Sequence, residues 1–312
     1  MASILVTRPL PSAVIAKLQN AGAVDVYTDG VMSAEVLEQR IVAADALVSM
    51  FSDDVNKRVI DAARNLKVVA NVAVGYNNID VEYARSRGVV VTNTPDVLTG
   101  SVADFTWAMI LAITRRLAEG DRLIRRNGWK AWAFDFMLGA DLRDKQLGLI
   151  GFGRIARAVA ARAPAFGVRI AYTSPKQADV PFEKMSIDRL LTTSDVVSLH
   201  VPLTADTRHL IDRKALARMK RSAYLVNTSR GAVMDEAALA WALRERLIAG
   251  AALDVYENEP AVHPELLPLD NVLLVPHLGS ATTETRTAMA NLAADNVIAV
   301  LGGHSPLTPV LE

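Results

Sequence analysis

The chain has 312 residues, of which 51% are hydrophobic, and its 34 basic and 34 acidic residues give a formal net charge of zero. This length predicts two domains with substantial cores, and the balanced charge argues against a global field that draws the protein to nucleic acid or to an anionic membrane. The chain contains no cysteine, which excludes disulfides, thiolate chemistry and cysteine-bound metal and fits a reducing cytoplasm.

The first 95 residues predict a small α/β domain. The N-terminus lacks a basic segment and becomes strand-like at once, so no signal peptide is expected, and no apolar stretch is long enough to span a bilayer. Alternating strand and helix patterns are typical of a parallel sheet covered by helices. Strands are predicted at 4–7, 24–27, 46–49, 67–70 and 89–92, and helices at 11–19, at 34–42 with Ser33 as the N-cap, and at 56–63.

A polar loop follows the fourth predicted strand, over residues 71–80. Open α/β sheets bind ligands at the carboxyl ends of their strands, which is where this loop lies. Its Gly75 has two readings: it is a simple turn residue, or it presents backbone N–H groups to an anion.

Residues 94–96 break the first domain, and a long helix is predicted over 97–126, leading to the second domain. The following stretch, 127–144, carries four aromatic residues among polar ones, which is unusual for a solvated loop. Two explanations stand: a partner subunit covers the aromatic side chains, which we favour, or they pack within the chain. The residues are Trp129, Trp132, Phe134 and Phe136.

A strand, a glycine turn and a helical pattern follow one another over residues 147–163, and a second strand closes a βαβ unit at 168–173. This arrangement indicates a dinucleotide pyrophosphate at a helix N-terminus. Gly151 permits the tight turn, and Gly153 lets the backbone approach the phosphates. The candidate nucleotide-binding residues here are Gly151, Phe152, Gly153, Arg154 and Ile155.

Further strands at 195–199, 223–227, 251–255 and 272–275 bring the second domain to six, which suits two mononucleotide-binding halves. A final helix over 282–301 is expected to return to the first domain. We therefore predict a Rossmann domain, 97–282, inserted in a smaller flavodoxin-like α/β domain, 1–96 with 283–312.

Three consecutive strands of the second domain end in polar residues of complementary type, Arg230, Glu259 and His277. The carboxyl ends of parallel strands lie at the same edge of a sheet, so these side chains are expected to converge there. Arg230 would bind an anion, His277 would donate a proton and Glu259 would modulate the histidine. Each residue alone has an ordinary explanation, as an ion pair, a solvated charge or a buried histidine. Together, beside a nucleotide site, they favour catalysis.

The other histidines are weaker candidates. His200 ends a strand at the predicted nucleotide edge and precedes Pro202, so we assign both to cofactor packing. His209, His263 and His304 are most simply surface residues. No metal-ligand spacing, nucleophile elbow or Walker A motif is present, so metal, serine-hydrolase and phosphoryl-transfer chemistry are not predicted.

At these motifs the sequence resembles the D-isomer-specific 2-hydroxyacid dehydrogenases, most closely the glyoxylate/hydroxypyruvate reductases. The resemblance is carried by 151–155, 227–231, 254–260 and 276–282, with 53–58 and 94–99 pointing to the reductases. It implies an NAD(P)-dependent enzyme in which Arg230 binds the substrate carboxylate and carbonyl, His277 is the general acid and Glu259 hydrogen-bonds His277. It also implies a homodimer.

Further roles follow from the same resemblance. The backbone at Val74 and Gly75 holds the carboxylate, and Asp254 contacts the nicotinamide amide. Thr228, Ser229 and Gly279 border the cofactor. Met50 and Phe51 end the third strand of the first domain, and two bulky apolar side chains there leave room for only a small keto acid.

Cofactor choice is predicted from the end of the second Rossmann strand, where NAD-selective enzymes commonly place an acid that binds the adenosine ribose. No acid is present between Ile170 and Gln177, whereas Thr173, Ser174 and Lys176 offer hydroxyls and a positive charge. NADPH is therefore expected over NADH, although NADH remains possible. The alternative is a solvated loop that is indifferent to the 2′-phosphate.

Two other functions remain open at this point. One is an enzyme for a bulkier keto acid, such as 2-ketogluconate or hydroxyphenylpyruvate. The other is a dinucleotide-sensing transcriptional partner on the same fold. Turnover of glyoxylate would separate the predicted reductase from the transcriptional partner, and steady-state reduction of small and bulky keto acids with each reduced nicotinamide would separate it from the other enzyme.

Overall fold

The computed structural model describes residues 1–311, and its described elements follow in chain order. The strands are β1 (Ala2–Val6), β2 (Gly22–Val26), β3 (Ala46–Ser49), β4 (Val68–Asn71), β5 (Val90–Thr92), β6 (Gln146–Ile150), β7 (Arg169–Thr173), β8 (Glu183–Lys184), β9 (Val196–Leu199), β10 (Tyr224–Asn227), β11 (Gly250–Leu253) and β12 (Val272–Leu274). The helices are α1 (Ser12–Gln19), α2 (Ala34–Arg40), α3 (Lys57–Ala62), α4 (Val81–Ser86), α5 (Thr99–Thr114), α6 (Leu117–Arg125), α7 (Arg154–Arg162), α8 (Ile187–Thr193), α9 (Arg213–Arg218), α10 (Glu236–Arg244) and α11 (Thr283–Leu301). Within residues 1–311, no helix has the length and apolar character needed to cross a membrane.

The chain divides into two compact units, one made of Met1–Leu98 with the chain from Thr282 onward, the other of Thr99–Ala281. The predicted boundaries, 96/97 and 282/283, lie within two residues of this division. The chain returns to the first unit through α11, which begins where the Thr282 hydroxyl accepts a hydrogen bond from the Thr285 amide. This helix packs on α1, β3 and β4.

The first unit is built on a five-stranded sheet in the order β2-β1-β3-β4-β5, and all its strand pairs are parallel. This is the flavodoxin-like order that was predicted. Strands β3 and β4 are buried on both faces, which explains their continuous apolar runs. The Ser33 and Asn56 side chains accept backbone hydrogen bonds and fix the starts of α2 and α3.

The second unit is built on a seven-stranded parallel sheet in the order β12-β11-β10-β9-β6-β7-β8. The order reverses between β6 and β9, as it does in a Rossmann fold, so the predicted fold class is confirmed. The six predicted strands are present, and β8 is an additional one. It has two exposed residues, too few to give a hydrophobic pattern.

The prediction of one long helix over 97–126 is wrong, because the chain forms two helices, α5 and α6. Between them Arg116 adopts a left-handed backbone with φ of 54° and its guanidinium binds Glu119 at 2.7 and 2.8 Å. The two helices occupy different environments: α5 buries eight side chains, whereas α6 buries none. A single straight helix cannot serve both environments.

Candidate active site

The glycine turn after β6 fits a dinucleotide. Gly151 has φ of +89°, and a Cβ there would lie 2.5 Å from the His200 carbonyl oxygen, so only glycine is accommodated. Gly153 is the N-cap of α7, no side chain caps the helix there, and a Cβ on Gly153 would meet nothing within 4 Å. The backbone amides at the start of α7 are therefore open to an anion.

The neighbouring candidates divide between core and surface. Phe152 is buried and stacks on Tyr172 with ring centroids 4.2 Å apart, so any contact it makes with a nucleotide is through its backbone. Ile155 is half-buried on the same side, whereas Arg154 is exposed at the first position of α7. Contact of these residues with a nucleotide stays a prediction.

The end of β7 lies beside this turn, because the Gly151 amide donates to the Thr173 carbonyl at 3.0 Å. Thr173 and Ser174 are half-buried there, and Lys176 is exposed. The three residues predicted to select the cofactor therefore lie at the end of β7 or just after it, and β7 is the strand next to the glycine turn.

His200 follows β9 on the other side of the turn, as predicted. Its ring Nε2 lies 2.9 Å from the Ser198 hydroxyl, and burial lowers the pKa of His200 to about 4. The ring is neutral near pH 7 and suits packing better than proton transfer. Pro202 is exposed two residues later.

The predicted contact between His277 and Glu259 is present. His277 Nδ1 lies 2.9 Å from Glu259 Oε2, and Glu259 Oε1 accepts a hydrogen bond from the Tyr256 amide at 3.0 Å. His277 has φ of 52° and its amide donates to the Asp254 carbonyl at 2.9 Å. The backbone at His277 thus has an uncommon left-handed conformation, and such conformations cluster at functional sites.

The charges around this pair are mutually supportive. Burial by itself would raise the pKa of Glu259, but the hydrogen bond and charge of His277, the Tyr256 amide and the charge of Arg230 together place it below its ordinary value. Burial lowers the pKa of Arg230, and the Glu259 charge opposes that shift. Guanidinium pKa values are so high that Arg230 stays protonated. Glu259 is accordingly an anion near neutral pH.

The loop after β10 presents Arg230. Ser229 donates from its amide and hydroxyl to Asn227 Oδ1, and the Asn227 side-chain amide donates to the Arg230 carbonyl at 2.9 Å. The Thr228 hydroxyl lies 3.0 Å from that of Thr106 on α5. Gly231 then packs against the main chain of the Glu259 loop, since a Cβ there would lie 1.8 Å from the Tyr256 carbonyl carbon.

Asp254 is nearly fully buried at the end of β11. Its two carboxylate oxygens accept hydrogen bonds from the amides of Leu278, at 2.5 Å, and Gly279, at 2.9 Å. Burial raises the pKa of Asp254, and these two amides oppose the rise. Asp254 therefore anchors the loop that carries His277, while its contact with the nicotinamide amide stays a prediction.

In the first unit, two asparagines orient the peptides of the polar loop after β4. The Asn93 side chain donates to the Val74 carbonyl at 2.8 Å, and the Asn71 side chain donates to the Gly75 carbonyl at 2.9 Å. The N–H of a trans peptide points away from its carbonyl, so the Gly75 and Tyr76 amides face the opposite side. Within residues 1–311 neither amide donates a hydrogen bond, as anion-binding amides require.

The loop that carries Met50 and Phe51 is held by the same network. The Asn78 side-chain amide donates to the carbonyls of Met50 and Asp53, both at 3.0 Å, and Asp53 Oδ2 accepts from the Met50 amide at 2.7 Å. Phe51 is exposed and Met50 is half-buried. Sequence reasoning missed the role of these asparagines, although Asn71 ends β4 and Asn93 directly follows β5.

The aromatic stretch after α6 does not pack within the chain. Trp129, Trp132, Phe134 and Phe136 are 51%, 75%, 86% and 41% exposed. A cavity of about 440 Å³ lies next to them, lined by residues such as Leu123 and Phe136. Exposed apolar surface of this kind marks an interaction site.

Comparison with known proteins decides the family. The family model described as "D-isomer specific 2-hydroxyacid dehydrogenase, NAD binding domain" matches residues 107–279. The chain belongs to the D-isomer-specific 2-hydroxyacid dehydrogenase family. It is an NAD(P)-dependent oxidoreductase, because the glycine turn and the Rossmann sheet described above are those of that domain.

Relatives of this family member include enzymes called glyoxylate reductase. One from Thermococcus onnurineus is 48% identical, with 98% of this chain and 95% of the relative covered, and one from Korarchaeum cryptofilum is 46% identical, with 97% and 94% covered. A solved NADPH-dependent glyoxylate/hydroxypyruvate reductase from Sinorhizobium meliloti, in complex with NADP and malonate, has a TM-score of 0.90 at 35% identity, with 99% and 96% covered. A Thermus thermophilus protein has a TM-score of 0.95 at 43% identity, with 99% and 100% covered.

Proposed function

We propose that this dehydrogenase reduces glyoxylate and hydroxypyruvate to the corresponding 2-hydroxy acids and prefers NADPH. The observation that carries the proposal is the 2.9 Å contact between His277 and Glu259, at the edge of the Rossmann sheet that also carries Arg230. The relatives named glyoxylate reductase support the substrate class.

Arg230 is the proposed carboxylate-binding group. A planar guanidinium meets a carboxylate through two hydrogen bonds and can also reach the adjacent carbonyl oxygen, which suits an α-keto acid. The charge of Glu259 stands beside it and opposes the effect of burial on the pKa of Arg230. The Gly75 and Tyr76 amides of the first unit are proposed as further carboxylate donors.

His277 is the proposed general acid. Its Nδ1 faces Glu259, so Nε2 is the ring nitrogen that donates a proton to the carbonyl oxygen. A bound dihydronicotinamide supplies the hydride to the carbonyl carbon. Proton donation by His277 prevents negative charge from building up on the oxygen, and the ionised Glu259 stabilises the imidazolium that precedes the transfer.

The glycine turn would hold the pyrophosphate of the cofactor, because Gly151 and Gly153 let the backbone come close to the phosphate oxygens. Thr173, Ser174 and Lys176 are proposed to bind the 2′-phosphate of NADPH, since hydroxyl groups and an ammonium favour a phosphate and no carboxylate repels it there. The structure in complex with NADP among the relatives is compatible with this assignment.

A second copy of the chain is proposed to cover the aromatic stretch. Four exposed aromatic side chains exceed what a monomer normally leaves in water, and aromatic residues are enriched at the centres of interfaces. A symmetric dimer buries the same surface on both copies. A monomeric mass by light scattering at micromolar concentration would refute it.

The test of function is steady-state reduction of glyoxylate, hydroxypyruvate, 2-ketogluconate and hydroxyphenylpyruvate with NADPH and with NADH. We expect the highest kcat/KM for glyoxylate or hydroxypyruvate with NADPH. Met50 and Phe51 supply the reason, as bulky apolar side chains that exclude large acids. A higher kcat/KM for the aromatic acid would refute the substrate assignment, and nucleotide binding without turnover would favour a sensor.

A further inference from the structure

Two glutamates outside the catalytic set hold the loop that carries Glu259. Glu236 is the first residue of α10 and is only 3% exposed. Its Oε1 accepts a hydrogen bond from the Glu257 amide at 2.7 Å, and Glu257 Oε1 accepts one from the Glu236 amide at 3.0 Å. Each side chain binds the main chain of the other residue, so the loop after β11 is tied twice to the start of α10.

A histidine supports this pair from the opposite side. His209 Nε2 lies 2.8 Å from Glu257 Oε2, and the His209 amide donates to the Ala232 carbonyl at 2.8 Å. The surface position expected for His209 from the sequence agrees with its side chain, which is 36% exposed, but the sequence did not indicate its contact with Glu257. Glu257 is thereby linked to the turn that begins at Gly231.

Glu257 is one peptide away from a contact of the catalytic pair. The Tyr256 amide donates to Glu259 Oε1, and the Tyr256 hydroxyl donates at 2.9 Å to the carbonyl of Val275, two residues before His277. Gly231 leaves no space against the Tyr256 main chain. Because Gly231 packs tightly against the peptide that joins Tyr256 and Glu257, we expect a shift of Glu257 to displace the Tyr256 amide, and with it the carboxylate that faces His277.

Helix capping does not account for Glu236. The Asp235 side chain already accepts the hydrogen bond from the Ala238 amide and caps α10. Burial raises the pKa of Glu236 and the nearby charge of Glu257 adds to the rise, whereas hydrogen bonds from the main chain at Glu257 and His263 oppose it. Burying a carboxylate next to a second carboxylate costs free energy, and apolar packing could join the loop to the helix without that cost.

We propose that Glu236 and Glu257, backed by His209, are positioning residues that set the orientation of Glu259 toward His277. The inference rests on the proposed function, because it assigns these residues a role in the same reduction. They act through the main chain at Tyr256 and touch neither substrate nor cofactor.

The test compares Glu236→Ala with Glu236→Gln, which keeps an oxygen that can accept from the Glu257 amide. We measure kcat and KM for glyoxylate with NADPH, the pH profile of kcat/KM, and NADPH affinity by fluorescence titration. Glu245→Ala is the matched control, because it removes an exposed glutamate at the other end of α10. His209→Ala removes the contact between the His209 ring and Glu257 Oε2. It replaces Glu236→Ala in the comparison if that variant does not fold.

We expect Glu236→Ala to lower kcat about 10- to 100-fold, the scale of a misplaced catalytic group, and to move the alkaline limb of the profile to lower pH. Glu236→Gln should restore both, and the NADPH affinity should stay unchanged. In a Glu259→Gln background Glu236→Ala should have little further effect on the pH limb, since the carboxylate it positions is absent.

A purely structural role would lower kcat without moving the pH limb, and that outcome overturns the proposal, as does equal loss in the Ala and Gln variants. Failure of the proposed function is distinguishable. If the wild type prefers a bulkier keto acid, the substrate assignment fails and the same variants are compared on that acid. If no keto acid is reduced, both proposals fail.

Discussion

The sharpest prediction concerns the pH dependence of the Glu259→Gln enzyme. Glutamine keeps an oxygen that can accept from His277 Nδ1 and removes only the charge, so the loop geometry is preserved. An ionised carboxylate favours the imidazolium, which is the proton-donating form in reduction. Without it the proton-donating form is less favoured, so the alkaline limb of the reductive profile should move to lower pH.

The magnitude follows from the contact. A hydrogen bond to a charged group contributes about 1.5–3 kcal/mol, and both side chains are about a quarter exposed, at 26% and 24%. Solvent screening therefore selects the lower end, so kcat/KM for reduction should fall about tenfold in Glu259→Gln. Glu259 itself does not titrate in this range, because its pKa lies below its ordinary value.

The assay follows NADPH consumption by absorbance at subsaturating glyoxylate across acid to alkaline pH. His277→Asn should lose about 10²- to 10⁴-fold in rate, the scale expected for loss of a general acid. His200→Asn is the control, because burial lowers the pKa of His200 to about 4 and keeps its ring neutral at the alkaline limb. An alkaline limb that does not move in Glu259→Gln would refute the acid–base pair.

The remaining predictions address each part of the site. Asn71→Asp replaces the donor to the Gly75 carbonyl and should raise the KM for glyoxylate about tenfold with unchanged NADPH affinity; an unchanged KM would contradict the role of the amides. Ser174→Asp should shift kcat/KM toward NADH by repelling the 2′-phosphate, and equal kcat/KM for both cofactors in the wild type would show that this residue does not bind the phosphate. Gly231→Ala should lower the free energy of unfolding by about 1–3 kcal/mol in urea titration, because its Cβ would lie 1.8 Å from the Tyr256 carbonyl carbon. Gly153→Ala, whose Cβ would meet nothing within 4 Å, should cost less stability and weaken NADPH binding. Trp132→Glu should convert a dimer to monomers in light scattering, and an unchanged dimer would place the interface elsewhere.

Local patterns were sufficient for much of the fold. The segments that form β3 and β9 are buried on both faces. Their sequences are therefore mostly hydrophobic and do not show the 3.6-residue period of an amphipathic helix. Ser33 and Asn56 are caps whose role depends only on neighbouring amides. The break at Arg116 was missed, because both flanking segments have helical patterns and only their different burial separates them.

The candidate site divides in the same way. Arg230, Glu259 and His277 could be proposed from sequence because each follows a strand of one parallel sheet, and the carboxyl ends of such strands share an edge whatever the details of packing. The glycine turn likewise carries its own conformational requirement at Gly151. These inferences need only strand order and short-range chemistry.

Only the tertiary structure could show which groups hold those residues in place. Glu236 and Glu257 meet through the packing of α10 on the loop after β11, and Asn71 and Asn93 converge on one loop from two different strand ends. Such contacts join segments that are distant in sequence and depend on close distances between buried atoms. Sequence periodicity and short motifs do not reveal such contacts. The sequence determines which groups are present, whereas the packed fold decides which of them meet.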